Sequence, residues 1–76
     1  MTRLTSETIK AVEVGSLLYC DGFTSGFALL LSKTHKKEFI NVPIGTLQRI
    51  EYWVIDVVDG ESNTYQIEIE EWDIFF

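Results

Sequence analysis

The sequence predicts an all-β domain, a small five-stranded closed barrel with a short N-terminal arm, and three observations lead there. Short β-prone segments are separated by glycines: Val14 to Tyr19, Gly26 to Leu31, Tyr52 to Gly60 and Tyr65 to Ile69. The last of these alternates strictly, with Tyr65, Ile67 and Ile69 on one face and Gln66, Glu68 and Glu70 on the other, the two-residue period of a half-buried strand. At 76 residues the chain is one domain. A core of that size yields only about 3–5 kcal/mol of net stability, so an architecture that removes exposed strand edges is expected.

Residues 1–12 read as an arm or a single turn, with a capping pattern at Thr5 and Ser6 ahead of a poor helix continuation at Thr8 and Ile9. The barrel then occupies residues 13–76. Val14 to Cys20 is the first strand, and Asp21, Gly22 and Gly26 bracket a loop in which glycine permits tight backbone approach. Phe27 to Ser32 is a continuous apolar run of strand length, expected to be buried on both faces. Lys33 to Lys37 reads as a basic turn and Glu38 to Val42 as a short third strand, ended by Pro43 and Gly45. Leu47 to Val58, rich in β-branched and aromatic residues, is the fourth strand, with Trp53 and Val54 placed at the centre. Asp59 and Gly60 signal a hairpin, and Glu61, Ser62 and Asn63 make its loop longer than two residues.

Composition narrows the function classes. Apolar residues make up 46% and aromatics 13%, which is the signature of a folded domain and not of disorder. One cysteine, Cys20, forms no internal disulfide, and Lys10 and Glu13 break any signal-like apolar run, so a reducing cytoplasm is expected. The uncharged stretch Gly22 to Ser32 falls short of the roughly 20 apolar residues that a helix spanning a membrane needs, and no membrane partner is expected. Charge is uneven: the net charge is −6, yet residues 51–76 hold eight acids and no base. That tail repels phosphate backbones and argues against direct nucleic-acid binding.

The candidate chemistry is thin. His35, the single histidine, has no orienting carboxylate or second ligand beside it in sequence and reads as a solvated turn residue. Cys20 precedes Asp21, whose charge disfavours a thiolate, and reads as a structural thiol. Glu68, Glu70, Glu71 and Asp73 offer oxygens to a hard cation, but strand alternation sends Glu71 away from Glu68 and Glu70 and leaves a solvated acidic face. No metal, cofactor or catalytic residue is assigned, and an enzyme is not expected. Tyr19, Tyr52, Trp53, Tyr65 and Trp72 either build an aromatic ligand groove or pack into the core. Phe75 and Phe76 either close the barrel bottom or dock on a neighbouring subunit.

The succession Val14 to Leu18, Gly22 to Leu30, Tyr52 to Gly60 and Glu71 to Ile74 resembles the small SH3-like barrels encoded by tailed bacteriophages. The likeness covers most of residues 12–75, although Ser16 replaces the usual acid after the glycine and Trp72 stands where leucine is common. What the resemblance implies is a five-stranded SH3-like barrel and a non-enzymatic structural or adaptor protein of a phage. It would reside in the host cytoplasm or in the virion, as a minor component of head, neck or tail. Folds of this kind host many functions. The contact residues expected are Lys33, Lys36 and Lys37 toward an acidic neighbour, and Glu68, Glu70, Trp72, Phe75 and Phe76 on the C-terminal segment. The competing class is an acidic inhibitor that mimics nucleic acid on a host enzyme through Glu61, Glu68, Glu70, Glu71 and Asp73.

Overall fold

The structure is a computed structural model and describes residues 1–43 and 45–76. Among the described residues four strands form one antiparallel meander in the order β1-β2-β3-β4: β1 Leu17–Tyr19, β2 Phe27–Asn41, β3 Leu47–Asp59 and β4 Thr64–Glu68. The sheet curls into a half-barrel around one apolar core, with Leu18, Ala28 and Leu30 facing Ile55, Val57, Ile67 and Ile69. The chain ends extend it. Phe75 pairs with Tyr19 through two backbone hydrogen bonds of 2.8 and 2.9 Å, and Phe76 pairs with Thr2 through 2.8 and 2.9 Å. Residues 1–12 are not a free arm in the packing sense, because Leu4, Ile9 and Val12 are buried in the same core. The Lys33 ammonium fastens that segment by donating to the carbonyls of Ile9 at 3.0 Å and Val12 at 2.6 Å.

The five-strand expectation requires correction at Lys33 to Lys37. These residues form no turn; they lie within β2, which runs unbroken for 15 residues and merges the expected second and third strands. The physical reason is that a run of charge does not itself bend a chain. Each residue finds an extended partner across the ladder, from Lys33 opposite Ile55 to Lys37 opposite Glu51. The reversal comes where the backbone chemistry allows it, with Gly45 at φ +77° and its N–H bonded to the Val42 carbonyl at 2.9 Å.

Burial of the Phe27 to Ser32 run on both faces is also corrected. Leu30 is fully buried, while Leu29 and Leu31 are 43% and 47% exposed, because among the described residues no second layer covers the outer face of the sheet. A register shift between Leu30 and Ser32 makes Leu31 a bulge, so that the inward face passes from Leu30 to Lys33. Trp53 and Val54 are half-buried and not central; Trp53 shares the inward face with Ile55 and Val57 but stands where the core ends.

Beyond that point β2 and β3 leave the body as a two-stranded arm, Thr34 to Val54. β1 pairs with β2 only as far as Leu29, and β4 reaches β3 only at Val54, opposite Glu68, with the Ile69 N–H donating to the Trp53 carbonyl at 3.1 Å; from Thr34 to Asn41 and from Leu47 to Tyr52 the outer edges of the arm lack a strand partner among the described residues. The molecule is drawn out to 46 × 23 × 18 Å.

Candidate functional site

Two regions gather the residues with contact chemistry. The first is the arm. Cross-strand partners share a face, so Lys37, Phe39 and Asn41 lie with Leu47, Arg49 and Glu51 on one side, and Lys36, Glu38 and Ile40 with Gln48, Ile50 and Tyr52 on the other. Phe39 is 69% exposed and Leu47 63%. Side chains hold the arm sparingly: His35 stacks on Trp53 with ring centroids 4.8 Å apart, Arg49 Nη2 lies 2.6 Å from Glu51 Oε1, and the Tyr52 hydroxyl donates to Glu38 Oε1 at 2.7 Å. That hydrogen bond, with lesser help from desolvation and the nearby charges of Glu38 and Glu68, raises the Tyr52 pKa above the usual phenol value.

The second region is an open groove of about 730 Å³ at the other end of β2. Tyr19, Trp72 and Phe75 supply its aromatic walls, and Asp21, Glu71 and Asp73 supply its charge, with Arg3 bridging to Asp73 at 2.6 Å. Trp72 is seated by its neighbours. Its ring lies over Gly22, where an added Cβ would come within 2.6 Å, and packs on Phe23 with centroids 5.6 Å apart. Tyr65 completes that cluster at 5.5 Å from Phe23 and 6.0 Å from Trp72.

The β3–β4 turn, which rims the body, is organised by Asp59. Its buried carboxylate accepts N–H bonds from Glu61 and Asn63 at 2.9 Å each, an Asn63 amide bond at 3.3 Å and the Tyr65 hydroxyl at 3.1 Å. Desolvation pushes the carboxyl pKa up, but the hydrogen bonds from Asn63, Glu61 and Tyr65 outweigh it and leave the pKa below its ordinary value.

The expected contact residues are dispersed. Lys36 and Lys37 lie on opposite faces of the arm, whereas Lys33 is engaged with the body. Glu68 sits on β4 opposite Val54, Glu70 is exposed in the turn beyond it, and Trp72 and Phe75 line the groove. Phe76 packs against the core beside Thr2. The five aromatics do not form one groove: Tyr52 and Trp53 belong to the arm, Tyr65 to the internal cluster, and only Tyr19 and Trp72 meet at the groove. Cys20 is buried, with its sulfur accepting the Gly22 N–H at 3.4 Å, and His35 Nε2 is 3.8 Å from Glu51.

Sequence reasoning missed Phe39, Leu47 and Asp21 as contact residues, and it named Asp73 only among the acidic cluster. The legible signal for the first pair was the loss of apolar alternation on both faces between Lys33 and Arg49, which marks strands with no core beneath them.

Among the described residues no group of three histidine, cysteine, aspartate or glutamate side chains is placed to hold a metal ion, and no helix is long and apolar enough to cross a membrane. No family model, curated protein or solved structure matches the chain at a significant level.

Proposed function

We propose that the chain is a non-enzymatic structural or adaptor module that works through protein–protein contacts, a phage protein and a minor component of head, neck or tail. One observation carries the contact part: the arm is a two-stranded ribbon with both edges open and apolar side chains at its tip. An isolated two-stranded hairpin is marginal in water, and exposed strand edges invite pairing, so such an element acquires its purpose and its order from a partner. The phage assignment rests on the motif resemblance, with the curled all-β sheet consistent with it. The nucleic-acid-mimic alternative draws on the net charge of −6. Of its acids, Glu61 stands apart before β4, Glu68 is half-buried at the end of β4, and of Glu70, Glu71 and Asp73 beyond it Asp73 is paired with Arg3, which weakens the case for a phosphate-like row.

Cross-linking mass spectrometry of the full chain in its native particle or cytoplasm tests the proposal. Cross-links from Lys36 and Lys37 to a partner chain, either another protein or a second copy of this one, are expected, and the double substitution Phe39→Asp with Leu47→Asp should abolish them in a folded chain. Unchanged cross-links in that variant overturn the reading. Truncating Phe75 and Phe76 is a poorer test, because it also removes four backbone hydrogen bonds.

A further inference from the structure

We infer that the partner which covers the arm is a second copy of this chain: the hairpin tip of one copy docks in the Tyr19–Trp72–Phe75 groove of the next, head to tail. This rests on the contact-module reading and names its partner. The arm and the groove match in three independent respects.

Apolar matter is offered on both sides. Phe39 and Leu47, on one face of the tip, are largely exposed among the described residues, and the groove presents three aromatic walls around about 730 Å³, within the roughly 300–1,000 Å³ typical of binding clefts.

Charge is complementary. Thr34 to Val54 carries Lys36, Lys37 and Arg49 against Glu38 and Glu51, whereas the rest of the chain carries three bases against ten acids. The groove itself holds Asp21, Glu71 and Asp73 with Arg3, bridged to Asp73, and the N-terminal residue Met1, which leaves Asp21 and Glu71 as the acids free to meet a basic arm. Copies of net charge −6 repel one another overall, and an orientation that brings the net-basic arm to the acidic body reduces that repulsion.

Geometry forbids self-occupancy. The groove adjoins the start of β2, where Tyr19 faces Phe27, and the tip lies at its end, Asn41. Fifteen residues of strand at roughly 3.3 Å each separate them by most of the molecule's 46 Å length, so an arm reaches only a neighbour's groove. A contact between two different patches is heterologous, and it propagates into a ring or a filament.

Sedimentation velocity of the purified full chain over a wide concentration range tests the inference. The wild type should form species larger than a dimer, and added salt should weaken them. Phe39→Asp, which spoils the tip, and Asp21→Lys with Glu71→Lys, which spoils the groove, should each weaken self-association by about thirtyfold or more, as expected for a central contact. Circular dichroism checks that each variant remains folded. The decisive experiment mixes the two variants. Each retains the half that the other lacks, so the mixture should form one-to-one dimers and nothing larger. A wild type that stays monomeric, a variant that assembles normally alone, or a mixture that stays monomeric overturns the inference. A monomeric wild type that still cross-links to another protein through Lys36 or Lys37 overturns this inference and leaves the adaptor reading standing.

Discussion

Where β2 and β3 cross the body, Ala28 and Leu30 meet Ile55 and Val57 with no solvent exposure; where the same two strands continue into the arm, their side chains are exposed or half-buried. The ladder is continuous across the boundary, with register kept from Ser32 opposite Asp56 to Asn41 opposite Leu47. Backbone pairing therefore does not distinguish the two regions, and burial does. The body is held by apolar area removed from water, at roughly 25 cal/mol per Å². The arm is held by the ladder and a few surface pairs, each worth about 0.2–1 kcal/mol. Stability concentrates in one region, and the surfaces left for contact lie in the other, as expected for binding elements drawn from the low-stability end of a fold.

The comparison breaks most severely at its buried end. Ile55→Ala should cost about 2–5 kcal/mol, which consumes the stability of so small a domain, and urea denaturation should find no folded baseline. Gly22→Ala forces a methyl group against the Trp72 ring and should cost about 1–3 kcal/mol, read as a lowered denaturation midpoint with perturbed tryptophan fluorescence.

Trp53 sits on the boundary, half-buried and stacked on His35, so Trp53→Ala should cost about 1–2 kcal/mol, short of the ~3–5 kcal/mol of a fully buried ring. A loss at the upper figure would move the edge of the body into the arm.

A smaller effect appears only in acid. Because the folded pKa of Asp59 is depressed, its carboxylate contributes stability above the unfolded value of about 3.9, and that contribution is lost as pH falls through the folded value. Asp59→Asn should flatten the acid limb of the stability profile, and an unchanged limb would remove the turn network from the account. Phe39→Ser should change folding stability by no more than about 0.5 kcal/mol while weakening association, measured on one sample by denaturation and sedimentation. A large loss of stability there would make the arm part of the body.

Much of the body was legible in residue order. The alternation from Tyr65 to Ile69 put Ile67 and Ile69 inside and Gln66 toward solvent, and the Asp59–Gly60 signal with its longer loop matches the turn that Asp59 caps and Ser62 completes at φ +67°. Phe23, assigned to a loop, is buried beneath Trp72 and Tyr65, and Leu4, Ile9 and Val12 join the core from a segment whose local pattern is neither helix nor strand. Nothing local announces such burial, since the rings that cover Phe23, those of Tyr65 and Trp72, lie 42 and 49 positions further along the chain.

Residue order by itself determined the β class, the turn positions set by glycine and proline, and the inward isoleucines 67 and 69, because alternation and backbone freedom act between neighbours. The tertiary structure decided which of the consecutive leucines 29, 30 and 31 is hidden, whether the basic stretch bends or runs straight, and that half of one hairpin stands outside the core. Burial is a property of what arrives from elsewhere in the chain, and a side chain's own sequence surroundings do not contain it.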